Sequence, residues 1–183
     1  MINRIIALIL VICLSPFFFI LSLAILIEDG FPVFFMQKRI GINYSFFLIY
    51  KFRSMKKNTP NVATHLLNNP DRYLLKIGKF IRNSSIDELP NLINIIKGEM
   101  VFVGPRPALF NQDDLMALRV ESGVDKLKPG ITGWAQINGR DELSISEKVK
   151  LEQEYIKRKS LLFDLEIIIK TFTNVLSKKG VSH

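Results

Sequence analysis

The sequence predicts a mainly helical α+β protein whose N-terminal segment enters a membrane. Three observations predict this class. Residues 5–27 form an apolar run that is long enough for a membrane helix, which needs about 20 residues. Two aromatic-rich runs, residues 31–35 and 45–50, are typical of paired extended strands. The rest of the chain shows the capping signals and apolar periodicity of several helices.

The composition is that of a basic, apolar protein of one domain. The 183 residues carry 25 Lys and Arg against 17 Asp and Glu, and 48% of them are hydrophobic. This balance favours a membrane surface, an anionic small molecule or nucleic acid as a partner. Cys13 is the single cysteine, which excludes an intramolecular disulfide and a zinc site built on thiolates. With only His65 and His183, a Ser-His-Asp triad is not favoured.

The N-terminal apolar run is interrupted near its midpoint by Ser15-Pro16. Proline removes one helical hydrogen bond and bends the helix, and a serine hydroxyl can bond the freed carbonyl. No small-residue cleavage pattern follows, which argues against a signal peptide. A kinked spanning helix and a re-entrant helix both remain open. Hydropathy favours the first, whereas basic residues on both sides (Arg4, then Lys38 and Arg39) favour the second.

The two aromatic-rich runs predict a β-hairpin with its turn at residues 41–43. A cluster of basic residues lies in and after this hairpin, and most such clusters form a solvated or lipid-facing surface. Lys51 and Arg53 are expected to differ, because they alternate with Phe52 and therefore point to one face. The cluster consists of Lys38, Arg39, Lys51, Arg53, Lys56 and Lys57.

The strongest candidate site is centred on the adjacent carboxylates Asp87 and Glu88. Proline fits only in the first turn of a helix, so Pro90 predicts Asp87 as the N-cap, with Ser85 as a competing cap and Gly98 as the helix stop. A carboxylate at a helix N-terminus is held ionised by the helix dipole, as a nucleophile requires. Helix capping alone is the plainer interpretation of such a pair.

Basic side chains near this pair extend the hypothesis to phosphate. Arg82 lies five residues before Asp87, and Arg106 is fixed between Pro105 and Pro107. Guanidinium groups can hold phosphate with two parallel hydrogen bonds. An acidic pair beside bound phosphates is also a usual way to hold Mg²⁺.

The segments outside this site give weaker signals. Trp134, in a Gly- and Pro-rich stretch, can either stack on a base or anchor the core. No GxxxxGK[ST] or GxGxxG motif occurs, so the common triphosphate and dinucleotide folds are not supported. Ser144 and Glu147 form a capping-box pattern. The predicted elements are a loop at residues 58–70, a strand at 100–103, and helices at 73–81, 110–120, 144–159 and 161–176, of which the last is amphipathic and suited to a membrane surface or the core.

Taken together, these motifs resemble the signature of the bacterial monotopic phosphoglycosyl transferases over nearly the whole chain. The matching segments are residues 51–55 (KFRSM), Arg82, residues 85–90 (SIDELP), residues 104–107 (GPRP) and residues 133–140 (GWAQINGR). The resemblance implies that residues 1–29 form a re-entrant membrane helix broken at Ser15-Pro16. It implies that residues 30–183 form a catalytic domain on the cytoplasmic face of the bacterial inner membrane, bound to phospholipid.

The resemblance also implies an activity. A sugar 1-phosphate would pass from a UDP-sugar to undecaprenyl phosphate with release of UMP, through a covalent aspartyl-phosphosugar intermediate on Asp87. This would be the first membrane step of assembling an O-antigen of lipopolysaccharide, a capsule, an exopolysaccharide or a glycoprotein glycan. The family spans N-acetylated, di-acetamido and simple hexose donors. Larger members carry spanning helices ahead of this domain, so the chain is expected to be a minimal catalytic form.

The site residues implied by the resemblance combine catalysis, metal binding and substrate binding. Asp87 and Glu88 are the catalytic residues and the ligands of Mg²⁺. A binding module for nucleic acid or acidic lipid is the alternative, but it leaves this acidic pair unexplained, and no nucleic-acid partner is expected. The substrate-binding residues are Lys51, Arg53, Arg82, Pro105, Arg106, Pro107 and Arg140.

Overall fold

A computed structural model describes residues 1–60, 69–139 and 142–176, and within them the mainly helical α+β class is confirmed. Arg140 and most of the loop predicted at residues 58–70 lie outside the described residues. The helices are α1 (Ile2–Asp29), α2 (Gly78–Asn83), α3 (Leu92–Lys97), α4 (Asp113–Ser122), α5 (Trp134–Ile137), α6 (Ile145–Arg158) and α7 (Leu161–Leu176). The strands are β1 (Phe34–Ile40), β2 (Phe46–Phe52), β3 (Val101–Val103), β4 (Ala108–Leu109) and β5 (Gly130–Thr132).

Helix α1 is long and apolar enough to cross a membrane, as judged by its length and composition. Pro16 lies within it, and the Ser15 hydroxyl donates to the Ile12 carbonyl at 2.7 Å. Most of its apolar side chains, such as Phe19 and Ile20, are exposed. A continuous exposed apolar surface of this kind marks a membrane or protein contact. The re-entrant geometry stays a prediction.

The two ends of α1 contact the same globular body. Near its start, the Arg4 guanidinium donates to the Lys97 carbonyl at 3.3 Å. Near its end, the Glu28 carboxylate accepts a hydrogen bond from the Lys76 backbone N–H at 2.6 Å. The helix is therefore fixed at both termini.

Between these contacts, α1 closes two apolar clusters. Each buried Leu- or Ile-sized side chain contributes about 1.5–3 kcal/mol relative to an exposed one. Both clusters include side chains of β2, which carries part of the candidate site. The first contains Ala7, Phe47, Ile49, Leu92, Ile95 and Met100, and the second contains Leu21, Ile25, Val33, Phe52, Leu75 and Ile81.

The predicted hairpin is confirmed, with a longer first strand than the sequence indicates. β1 and β2 pair antiparallel over seven residues each, from Phe34 opposite Phe52 to Ile40 opposite Phe46. The first strand is predicted at residues 31–35, but it continues to Ile40 because β2 supplies partners along its whole length. β4 adds a third strand beside Ile40. A separate parallel pair joins β3 and β5.

The predicted helix start at Asp87 is wrong. Residues Ile86–Asn91 form a 3₁₀-helix, and the α-helix begins only at Leu92. Pro90 has no N–H and disfavours helical backbone at the residue before it, so a regular α-helix forms only beyond it. The competing cap, Ser85, precedes the 3₁₀-helix but makes no side-chain capping bond.

Two other predicted helix boundaries are confirmed. Gly98 ends α3 with a left-handed φ of 83°, which glycine adopts without a Cβ clash. Ser144 and Glu147 form the capping box that starts α6. These boundaries depend on hydrogen bonds between near neighbours in the chain, which is why the sequence reveals them.

Helix α7 is apolar on two sides. Phe163 and Ile167 are buried in a cluster that also contains Val103 and Tyr155. Its other side exposes a row of apolar side chains, namely Leu162, Leu165, Ile169 and Phe172. The helix therefore packs on the core and also presents an apolar surface outwards.

Candidate active site

Asp87 and Glu88 lie on the 3₁₀-helix Ile86–Asn91, which packs against β2. Asp87 is 8% exposed. Glu88 Oε1 accepts from Lys51 Nζ at 2.7 Å and from Arg106 Nη2 at 3.3 Å. The structure thus joins three predicted site residues, from three separate segments, at one carboxylate oxygen.

The environment of Asp87 differs from the predicted helix cap. Burial raises the pKa of Asp87 to about 6, with Lys51 and Arg82 acting in the opposite direction and Glu88 adding to the rise. The expectation that a helix dipole holds Asp87 ionised is wrong, because Asp87 does not cap α3 and its desolvation is the largest effect. At neutral pH Asp87 is mainly ionised, and it is more basic than an ordinary aspartate.

Arg82 lies in the last turn of α2, and its charge interacts with the Asp87 carboxylate. Burial lowers the pKa of its guanidinium, and the charge of Asp87 raises it. The predicted association of Arg82 with the acidic pair is therefore present in the structure.

The segment Pro105–Arg106–Pro107 is fixed through its backbone. Hydrogen bonds to all three carbonyls hold the direction in which the Arg106 side chain leaves the chain. The Pro105 carbonyl accepts from Gly130 N at 2.9 Å, the Arg106 carbonyl from Arg119 Nη2 at 3.0 Å, and the Pro107 carbonyl from Arg39 Nη1 at 3.1 Å.

One of these supports is a buried ion pair that sequence reasoning missed. Arg119 on α4 donates to Glu152 on α6 from both Nε and Nη2, and the Nε bond measures 2.8 Å. The side chains are 5% and 2% exposed. Glu152 lies three residues from Val149 and from Tyr155, both buried, so helical periodicity already places it on the inner face of α6.

Arg53 lies away from the acidic pair. Its Nη2 donates to the Gly30 carbonyl at 2.6 Å and to the Asp29 carbonyl at 3.2 Å. The expectation that Arg53 shares a site with Lys51 is not met, because β2 ends at Phe52 and side-chain alternation holds only within a strand. The last carbonyls of a helix lack helical partners and attract a cation. The predicted part of Arg53 in substrate binding stays a prediction.

Trp134 packs against the buried cluster that contains Phe163. Its ring centroid lies 5.0 Å from that of Phe163, and its indole N–H donates to Glu154 at 3.0 Å. Of the two interpretations of this residue, the structure favours the core anchor over base stacking.

The site opens into a pocket that also contains a residue sequence reasoning placed elsewhere. Arg39 lines it together with Lys51, Glu88 and Arg106. In β1, Arg39 pairs with Phe47, and Lys51 pairs with Phe35, so Arg39 and Lys51 lie on the same face of the hairpin. The alternation of side chains between the two faces of a strand was the sequence signal that could have distinguished Arg39 from the solvated basic residues.

Comparison with known proteins gives consistent matches over nearly the whole chain. The family model described as bacterial sugar transferase matches residues 1–178. The Bacillus subtilis protein named "Uncharacterized sugar transferase EpsL" is 39% identical over 179 residues, covering 96% of this chain and 86% of that protein. The exopolysaccharide production protein ExoY of Sinorhizobium fredii is 35% identical over 190 residues, covering 96% of this chain and 84% of that protein.

A longer relative has a more specific name. The UDP-glucose:undecaprenyl-phosphate glucose-1-phosphate transferase of Escherichia coli is 38% identical over 175 residues. The match covers 91% of this chain but 38% of the Escherichia coli protein. The similarity therefore concerns one part of that relative.

The buried ion pair behind Arg106 gives a prediction about stability. Glu152→Gln leaves Arg119 as a buried charge without its partner, which is expected to lower the free energy of unfolding by about 3–5 kcal/mol. The matched control is Glu166→Gln, which breaks the exposed pair between Glu166 and Lys170 and should cost less than about 1 kcal/mol. Denaturant unfolding in detergent measures both. Equal losses would show that burial does not set the contribution of the Arg119–Glu152 pair.

Proposed function

The chain belongs to the bacterial sugar transferase family, and we propose that it transfers a sugar 1-phosphate from a UDP-sugar to undecaprenyl phosphate, with release of UMP. The observation that carries this proposal is the buried Asp87 carboxylate, flanked by Lys51 and Arg82. The name of the Escherichia coli relative supports the choice of donor and acceptor. The reaction would begin the assembly of a cell-surface polysaccharide.

In the first step, an Asp87 carboxylate oxygen attacks the phosphorus that bears the sugar. The P–O bond to UMP breaks, and UMP leaves with the electron pair. The product is an acyl phosphate that links Asp87 to the sugar phosphate. A pKa of about 6 suits this role, because the group is ionised at neutral pH and more basic than an ordinary aspartate.

In the second step, an oxygen of the polyprenol phosphate attacks the same phosphorus. The bond to Asp87 breaks, the carboxylate is restored, and the sugar is joined to the lipid through a diphosphate. The covalent intermediate lets two large substrates use one centre in turn. Oxygens around the phosphorus would face Lys51 and Arg82, cations already in place before the reaction.

Glu88 has a supporting part in this scheme. Its Oε1 atom holds both Lys51 and Arg106, so it positions two cations for the phosphates of the donor. Fixed cations need little rearrangement when the negative charge of the substrate arrives.

We expect Mg²⁺ to be held by Asp87 and Glu88. The donor set fits a hard cation, since Asn91, which lines the pocket together with Glu88, adds a side-chain oxygen that lacks a hydrogen-bond partner. The described residues contain no group of three or more His, Cys, Asp or Glu suited to a metal, so substrate phosphate oxygens would complete the coordination. When bound, the ion would neutralise diphosphate charge and stabilise the leaving UMP.

The proposed location is the cytoplasmic face of the bacterial inner membrane, with both ends of α1 on that face. A straight 28-residue helix is about 42 Å long and could span the membrane. Arg4 and Glu28, near its two ends, nevertheless bond to the same globular body. Entry into one leaflet would also bring the site to the level of the acceptor phosphate.

The nucleophile is tested by Asp87→Asn. This variant should lose turnover while remaining folded, and its free energy of unfolding at pH 7.5 should equal or exceed that of the wild type because a disfavoured buried charge is removed. Wild-type protein incubated with UDP-sugar and Mg²⁺, but without lipid acceptor, should carry one phospho-sugar on the peptide containing Asp87. Mass spectrometry detects it. The exposed Asp113→Asn serves as the control. An active Asp87→Asn variant would refute the assignment.

The raised pKa of Asp87 predicts an acidic limb in the rate of adduct formation. Protonation removes the nucleophile, so the rate should fall about tenfold for each pH unit below the pKa. At limiting Mg²⁺ the midpoint should lie close to 6, and it should move lower as Mg²⁺ is raised, since a bound cation favours the carboxylate. Single-turnover assays from pH 5 to 8 measure it. A flat profile at limiting Mg²⁺ would contradict this assignment.

Topology is tested by cysteine labelling in a Cys13→Ser background. Ile2 and Phe31 are each 73% exposed and flank the membrane segment. Ile2→Cys and Phe31→Cys should both resist an impermeant maleimide added to spheroplasts and react after permeabilisation. Labelling of either site from outside would mean that α1 spans the membrane.

A further inference from the structure

Cations and carboxylates alternate through most of the site, and the alternation ends at Arg106. Arg82 and Lys51 act on Asp87, and Lys51 and Arg106 bond to Glu88. Arg106 also interacts with a further cation, Arg39, and this interaction is repulsive. Two guanidinium groups therefore line the pocket together with Glu88.

Arg39 is held rigidly at this position. Its Nη1 donates to the Pro107 carbonyl at 3.1 Å, and its Nη2 donates to Gln37 Oε1 at 2.6 Å. Its Nε is buried and has no hydrogen-bond partner. Burial, with a smaller effect from the charge of Arg106, lowers the pKa of Arg39 to about 10, and the charge of Glu88 acts in the opposite direction. A fixed guanidinium with an unused donor beside a second guanidinium matches the recognition of a phosphate.

The four cations differ in the carboxylate with which each interacts. Lys51 and Arg82 are the cations whose charges act on Asp87. Lys51 also bonds to Glu88 at 2.7 Å and so interacts with both carboxylates, whereas Arg39 and Arg106 interact with Glu88. A nucleotide diphosphate has two linked phosphates. If Asp87 attacks the sugar-bearing phosphorus near Lys51 and Arg82, the second phosphate would lie beside Arg106 and Arg39.

We propose that Arg39 and Arg106 form a subsite for the phosphate that departs with the nucleotide. This inference rests on the proposed function, because it takes UMP as the leaving group. As the P–O bond to UMP breaks, negative charge accumulates on the phosphate of UMP. Arg39 stabilises that charge while the bond breaks.

The chain supplies a matched control at the adjacent residue. Lys38 carries the same charge but is exposed, with its Nζ 3.9 Å from the centroid of the Phe46 ring. It lies on the opposite face of β1 from Arg39. Lys38→Gln and Arg39→Gln therefore change net charge equally, and only the second changes the pocket.

The first measurement is binding of UMP to the full chain in detergent. Arg39→Gln should weaken UMP binding by about tenfold or more, the loss expected for a charge-assisted phosphate contact, and Lys38→Gln should change it less than about twofold. Unchanged UMP affinity in Arg39→Gln would overturn the subsite. Wild-type protein that binds no UMP and forms no adduct would instead refute the proposed function.

The second measurement separates binding from a structural effect on the Pro107 carbonyl. Uridine, which lacks the phosphate, is the comparison ligand. Arg39→Gln should weaken binding of UMP by about tenfold, whereas binding of uridine should stay within about twofold. Equal weakening of UMP and uridine binding would overturn the proposal and leave Arg39 as a loop support. Should Arg39→Gln fail to fold, Arg39→Lys carries the same comparison, with a smaller loss for UMP and none for uridine.

Discussion

A single carboxylate oxygen, Oε1 of Glu88, joins the parts of the chain that make the site. It accepts from Lys51 on β2 and from Arg106 after β3, while Glu88 itself lies on the 3₁₀-helix before α3. These segments are distant in sequence and share no backbone ladder. Because the three side chains are largely shielded from water, their attraction is stronger than that of a surface ion pair. The position of the Asp87 carboxylate relative to the neighbouring cations depends on this junction.

The rest of the fold keeps that junction in place. From one side, α1 closes the apolar clusters beneath β2 and is fixed near its end by Arg53. From the other side, the buried pair of Arg119 and Glu152 holds the carbonyl of Arg106. Breaking such a pair exposes a buried charge to an apolar surrounding, which is costly. The same helices that form the core therefore also orient the guanidinium of Arg106.

Two opposing effects act on the charge of Asp87. Burial disfavours its charge, and the neighbouring cations favour it. The outcome is a carboxylate that is ionised at neutral pH and more basic than an ordinary aspartate. A fully solvated aspartate would be a weaker base, and one paired tightly with an arginine would be less reactive. The cations that line the pocket (Arg39, Lys51 and Arg106) outnumber its lining carboxylate, Glu88. The pocket is therefore suited to a polyanionic ligand.

The sequence by itself determined the features that depend on near neighbours and on composition. These include the hairpin, the end of α3 at Gly98, the capping box at Ser144, and an acidic pair accompanied by Arg82 and Arg106. Only the tertiary structure decided which charges share a cavity. It placed Arg39 in the pocket and Arg53 at the end of α1, and it set Asp87 in a 3₁₀-helix. The physical reason is that caps and periodicity act over a few residues, whereas burial and charge pairing depend on strand register and on how distant segments pack.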